Sequence, residues 1–343
     1  MNPNVVLPLG SSLLSFVFFV FLIDQWRERH RSYQLAWAIG MLWYGLSAGT
    51  EFLGGAFGWS EPLYKAWYLI GAIWVAGWLG LGTIMLLART RFGFALVPVF
   101  LLLALIALGG ARAYTNVGVA PPIYAAFAVA LAVATAALTY RRDDRWALVV
   151  AAALVTGTAA SAVLIAAVPL PSPGWVVDET THIPTGALFP GYVRLLTPLF
   201  NVAGAWALVA GAIYSTYVFM PKRRIVRYSL RRGQPASNFI RNLVVAPIAV
   251  VVNFGASLPG AVAALVRGDV HSRVPATLLI ALGGLIPAIT SGANRFGSTS
   301  GFFVGEFLGV LLLFVGFLVS IEVFREVRIP FTHVVLQRRR AEA

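Results

Sequence analysis

Residues 5–31 read VVLPLGSSLLSFVFFVFLIDQWRERHR. Positions 5–23 carry no charge, and about 20 helical residues cross the roughly 30 Å of hydrocarbon in a bilayer. Arg27, Arg29 and Arg31 follow the apolar run and no basic residue precedes it. A secretory signal has the reverse order, with its basic segment first. The stretch is therefore expected to be a retained helix whose C-terminal end faces the cytoplasm, with the N-terminus outside.

The same pattern recurs along the chain. Of its 343 residues 59% are hydrophobic and 11% charged, where a soluble domain carries about 25% charged residues. Spans are expected at about 5–24, 33–56, 64–88, 93–110, 122–140, 146–168, 194–220, 275–291 and 301–323. These runs are too long and too continuously apolar for barrel strands, which alternate over about ten residues. A backbone inside lipid must satisfy its own hydrogen bonds, so helices remain. The expected fold is an all-α polytopic bundle of about nine spans, N-out and C-in.

Residues 237–266 are also apolar, but Pro247, Gly255, Pro259 and Gly260 interrupt them, and such residues favour breaks. Charge argues that this stretch does not cross. Without a crossing there, all but Lys65, Arg112, Arg194 and Arg295 of the 26 Lys and Arg residues fall on the cytoplasmic side. With a crossing, Arg338, Arg339 and Arg340 would move outside, against the positive-inside bias. The organisation expected is a seven-helix bundle over 1–221, a basic interfacial or re-entrant segment over 222–274, two further helices over 275–324, and a basic tail over 325–343. Lys222, Arg223, Arg224, Arg231 and Arg232 are candidate anionic-lipid ligands, although a plain stop-transfer anchor has the same composition. The net charge of +13 belongs to this loop pattern, and nucleic acid is not an expected partner.

The segments Tyr68-Leu69-Ile70-Gly71-Ala72-Ile73 and Trp78-Leu79-Gly80-Leu81-Gly82-Thr83 resemble a prokaryotic family of uncharacterised multi-pass membrane proteins. So do Leu278-Leu279-Ile280-Ala281-Leu282-Gly283, Arg295-Phe296-Gly297 and Leu313-Phe314-Val315-Gly316-Phe317-Leu318. Residues 231–270 look like an insertion against it. The resemblance implies a shared fold and no activity.

Small residues at steps of four mark close helix packing: Ala72, Ala76 and Gly80; Ala153, Gly157 and Ser161; Ala203, Ala207 and Gly211. Trp74 and Trp78 fall roughly opposite the first of these faces at about 100° per residue. With Tyr68, Tyr64 and Trp67 they form an aromatic wall, which either lines an apolar ligand site or packs the bundle.

Ionisable residues within spans are costly and mark candidate sites. Glu51 in the second span and Glu306 in the ninth lie at similar depth near the outer end, and Lys65 starts the third span close to Glu51. A carboxylate there could take up a proton or a cation from outside; alternatively a Glu51–Lys65 pair simply pins two helices, and Glu306 fits a water-exposed position near the interface equally well. The outer loop groups Asp178, Glu179 and His182, but adjacent prolines favour irregular structure and no third ligand is evident, so no metal is expected.

No catalytic residue or cofactor is expected either. The chain has no cysteine, and its four histidines lie at span ends or in loops, which disfavours a haem held between helices. There is no HExxH motif, no Gly-x-Ser-x-Gly elbow and no P-loop. The leading functional expectation is a non-enzymatic sensor or scaffold module of the cell membrane with an outward-facing aromatic and carboxylate site. The alternatives are a small-solute transporter or channel, and an accessory subunit of a membrane complex. The expected partners are the bilayer, its anionic lipids at the cytoplasmic face, and a protein partner or a second copy of the chain.

Overall fold

In the computed structural model the described residues are 3–171, 186–229, 235–267, 271, 273–295, 301–320, 327–332 and 334–336. The Asp178–Glu179–His182 group, Arg231 and Arg232 lie outside them.

The chain is helical almost throughout. In order it forms α1 (Pro3–Arg29), α2 (Ser32–Phe57), α3 (Glu61–Trp67), α4 (Val75–Leu86), α5 (Gly93–Gly110), α6 (Ala120–Arg141), α7 (Trp146–Ala167), α8 (Gly191–Arg194), α9 (Ala203–Phe219), α10 (Ala236–Arg267), α11 (Arg273–Arg295) and α12 (Phe302–Val319). A π-helical stretch, Tyr68–Trp74, joins α3 to α4 in one continuous rod, and another, Pro198–Val202, leads into α9. A two-residue antiparallel ladder, Val327–Arg328 with Val335–Leu336, is the only β-structure among the described residues.

Nine of the described helices are long and apolar enough to cross a membrane, so this is a multi-pass membrane protein. The set differs in membership from the sequence expectation. It includes Ile240–Ala264 and leaves out α2, whose 26 residues carry Gln34, Thr50, Glu51 and several glycines. Yet α2 packs along α1 and α4 inside the bundle. Its polar residues are buried against protein rather than turned to lipid. The expected break over 237–266 is also corrected: Ala236–Arg267 is one continuous helix. Exposure explains part of this, since Pro259, Gly255 and Gly260 lie on open surface, where no neighbouring helix fixes a bend.

Six helices close a ring in the order α1, α2, α4, α9, α11, α12 and back to α1. Close approaches set each seam. Ser12 donates to the Gly45 carbonyl at 2.8 Å, and Trp37 Nε1 to the Leu79 carbonyl at 3.1 Å. Between α4 and α9, Gly80 lies directly on the backbone of Gly204, which in turn lies on Ala76. Gly283 and Gly309 do the same between α11 and α12. Lipid supplies no hydrophobic drive between helices, so such backbone contact and its dispersion energy hold them together. The ring interior is one apolar core, with Phe18, Leu22, Trp37, Met41, Val310 and Phe317 at its centre. Helices α11 and α12 share it with α1, α2, α4 and α9. Helices α5, α6 and α7 pack outside the ring against α4 and α9 around a second core.

The pairings also fix relative direction. Thr216 on α9 meets Thr277 on α11 at 2.7 Å, while the earlier Leu208 meets the later Gly284. These helices are therefore antiparallel, and Met220 and Val274 sit at the same end, where they share a small apolar cluster. That end also carries Arg27, Arg29, Arg89, Arg141 and Lys222 by the alternation of the helices; it is the basic end. Residues 58–60, 111–119 and 190 lie at the opposite end.

Candidate functional site

Tyr44, Ser47 and Glu51 recur at three and four residues along α2 and so share one face. That face is turned into the ring, and Glu51 is 4% exposed. Across the ring interior stands Glu306, one turn into α12. Tyr44 Oη donates to the main-chain carbonyl of Glu306 at 2.9 Å, which sets the height of α12 against α2. At this height the two carboxyl groups are near enough to interact electrostatically. The Nε1–H of Trp67 donates to Glu51 Oε1 at 2.9 Å. The second oxygens, Glu51 Oε2 and Glu306 Oε2, are both buried and meet no N–H or hydroxyl donor among the described residues. The Oγ atoms of Ser11 and Ser15 on α1 are buried in the same way, and the contact of Gly10 with Phe307 brings that part of α1 to the depth of Glu306.

No cation neutralises the pair among the described residues. Lys65 is bound elsewhere, at 2.9 Å from Glu61 and 3.2 Å from the Ala166 carbonyl. The anticipated Glu51–Lys65 pair therefore does not form. Lys65 and Trp67 are two residues apart on a helix, about 200° in rotation. With Trp67 turned to α2, Lys65 must face α7.

Of the aromatic wall, Trp67 reaches Glu51, while Trp74, Trp78 and Tyr68 are tied to other helices. Trp74 Nε1 donates to Ser161 Oγ at 3.0 Å, and Trp78 Nε1 to Thr158 Oγ1 at 3.2 Å. Both tie the third rod to α7. Tyr68 Oη lies 2.9 Å from Thr197 Oγ1, with its ring stacked on Phe189 at 4.2 Å. These three side chains thus brace helices, with their polar atoms already partnered. Asn201 has a similar part, donating to the Ala72 carbonyl at 3.4 Å where the two π-helical stretches meet.

That Glu51 and Glu306 share one depth is legible in the sequence; their partners Trp67 and Tyr44 are not. Trp67 reads as part of the wall. Tyr44 precedes Glu51 by seven residues, which is a detectable spacing, but that α12 closes on α2 is a property of the ring.

At the basic end, Lys222, Arg223 and Arg224 are exposed on an extended segment. Asn253 of α10 holds this segment by its backbone: Oδ1 accepts from Ile225 N at 2.8 Å and Val226 N at 2.9 Å, and Nδ2 donates to the Val226 carbonyl at 2.8 Å. The Arg223 N–H donates to Ser257 Oγ at 2.8 Å. The hairpin that carries the β-ladder docks against the end of α1. There the Phe331 N–H donates to Asp24 Oδ1 at 3.1 Å, and Arg27 lies 5.4 Å from the Phe331 ring centroid.

Fold and site together define a multi-pass helical membrane protein with two neighbouring carboxyls, Glu51 and Glu306, in its helix bundle. No protein-family profile, curated protein or solved structure matches the chain. The resemblance noted at the two ends of the membrane domain accordingly brings no activity with it.

Proposed function

We propose that the protein is a proton-responsive sensor module of the cell membrane, N-out and C-in, in which Glu51 and Glu306 bind one proton between them. The observation that carries this reading is the closeness of the buried Glu51 carboxyl to that of the half-buried Glu306, with no neutralising cation among the described residues. Two carboxylates that close repel each other, whereas one bridging proton turns the same contact into a hydrogen bond. Loss of the proton favours separation of α12 from α2, the two helices the pair joins.

A displacement of α12 has a route to the far end. Phe18 of α1 packs on Phe314 and Phe317 of α12, each at 5.1 Å between centroids. Phe317 packs on Trp37 at 4.7 Å. Asp24 and Arg27, which hold the tail hairpin, lie about two turns further along α1. The output is then a change in how the tail is presented to a partner, and no chemical reaction is assigned to the chain.

The test uses the absence of native cysteine. A spin label at Thr332→Cys reports hairpin mobility in proteoliposomes as the outer pH is lowered. The reading expects a mobility change in the parent that is absent from Glu51→Gln and Glu306→Gln. A change that persists in both variants overturns it. The alternative, proton-coupled transport, draws on the buried and unpartnered Ser11 and Ser15 hydroxyls. Outer-acid-driven proton flux in the same vesicles, lost in Glu51→Gln, would favour it over sensing.

A further inference from the structure

Helix α10 is as apolar as the spanning helices but is packed differently. It makes little contact with α9 and none of the extended seams that bind the ring. Its environment divides sharply by face. At about 100° per residue, Ile240, Val244, Val251, Leu258 and Val262 project within one narrow arc, and all are exposed, Val251 to 71%. Ala246, Ala249, Asn253, Ser257, Ala261 and Ala264 are buried on the opposite side. There the helix meets the ends of α9 and α11 and the extended segment that Asn253 and Ser257 grip.

The path of the chain limits where this helix can lie. Because α9 and α11 are antiparallel, the chain leaves α9 and enters α11 at the same end. One crossing by α10 would need a second by the connecting segments. The part of the connection that the structure describes, residues 221–229, is non-helical, and non-helical backbone exposed to hydrocarbon is not tolerated. At 32 residues and about 1.5 Å each, the helix is also much longer than the hydrocarbon is thick.

We propose that α10 lies in the cytoplasmic-side membrane interface with its aliphatic arc in the acyl chains, and that with the segment strapped to it the helix forms a binding platform for anionic phospholipid. The charge distribution selects the lipid. Lys222, Arg223, Arg224 and Arg227 are exposed on the strap, held on the side of the helix away from its aliphatic arc. Lys222 is steadied over the Tyr217 ring, 5.8 Å from its centroid. Aliphatic side chains on one side and cations at the level of the strap match the acyl chains and headgroups of an anionic leaflet. Asn253 acts as the positioning residue, since its three bonds to the 225–226 backbone fix the strap to the helix.

The experiment uses the full chain in nanodiscs of phosphatidylcholine or of an equimolar mixture with phosphatidylglycerol. Single nitroxide labels are placed at Val251→Cys, Val262→Cys and Lys222→Cys. The labels at 251 and 262 are expected to collide with oxygen and be shielded from a water-soluble nickel chelate, and the label at 222 to show the opposite. Lipid retained through purification from the mixture is then assayed. Phosphatidylglycerol is expected to be enriched, and the Lys222→Gln/Arg223→Gln/Arg224→Gln triple variant to lose at least ~10-fold of the preference, given roughly fivefold per basic residue near a charged surface. Asn253→Ala retains every charge and should weaken the preference partially. Nickel access at 251 and 262 overturns the placement, whether the arc then faces water or a soluble partner. Equal retention of the two lipids by the parent overturns the lipid assignment. Neither of these two results depends on the triple variant folding.

Discussion

Substitution of Gly80 by alanine tests whether the α4–α9 seam is a backbone contact. A Cβ at Gly80 would stand 2.6 Å from the Gly204 Cα and 2.9 Å from its carbonyl carbon, and closer still to its oxygen. Carbon atoms in contact sit about 3.5–4.0 Å apart, so α4 and α9 must separate by roughly 1 Å. Backbone cannot swing aside as a side chain can. A gap of that size forfeits about a quarter to a half of the dispersion well for each atom pair along the seam, and overpacking of this kind costs about 1–3 kcal/mol. The gain in helix propensity from Gly to Ala, at most about 1 kcal/mol, offsets only part of that. Gly109→Ala provides the control, because nothing lies within 4 Å of its added Cβ; it should be neutral or stabilising by up to about 1 kcal/mol. Reversible unfolding in mixed micelles of rising SDS fraction measures both. Gly80→Ala should unfold at lower SDS than the parent, and Gly109→Ala should not. Equal midpoints for the two variants would refute the argument.

Phe18 is fully buried between α1 and α12, and Phe18→Ala should cost about 3–5 kcal/mol in the same assay. Trp67→Phe keeps an aromatic ring but removes the N–H that donates to Glu51; loss of that bond should cost about 1.5–3 kcal/mol, and Trp67→Phe in a Glu51→Gln background should cost less, as a double-mutant cycle would record. In the turn between α6 and α7, hydrogen bonds from Arg145 hold the Asp143 carboxyl below the usual carboxylate range. A folded-state value below the unfolded one adds stability above the unfolded value, and that contribution disappears as the pH falls through the folded one. Hydrogen exchange at residues 143–145 should accordingly quicken in acid below the ordinary carboxylate range, and Asp143→Asn should remove that dependence.

The number and placement of most spans were legible because a bilayer imposes a length and an apolarity that a single segment either meets or fails. The small-residue faces were legible for the same local reason. Ala76 and Gly80 do meet α9, at Gly204, which is outside the Ala203–Ala207–Gly211 face, and Gly211 of that face meets Thr83 of α4. Ser161 does lie on a seam, as the acceptor for Trp74. What could not be read is which helices become neighbours. The ring places α12 beside α1 and across from α2, nearly the whole chain apart in sequence, and that arrangement brings Glu306 near Glu51 through the Tyr44 bond. Lys65 starts its helix at the depth of Glu51, but rotation about the helix axis turns it to α7. The prolines and glycines of 237–266 signal weak helix propensity, yet the structure keeps one helix there, with its aliphatic side chains in one arc and its small and polar residues in the other.

The carboxyl pair is tested most directly by infrared spectroscopy of the purified protein at neutral pH, which separates the C=O stretch of a protonated carboxyl from the bands of carboxylates. The proton-sharing account predicts such a band in the parent, moved or lost in both Glu51→Gln and Glu306→Gln, because either substitution replaces the shared carboxyl–carboxyl hydrogen bond. A band that neither substitution alters, or no band at all, would contradict it.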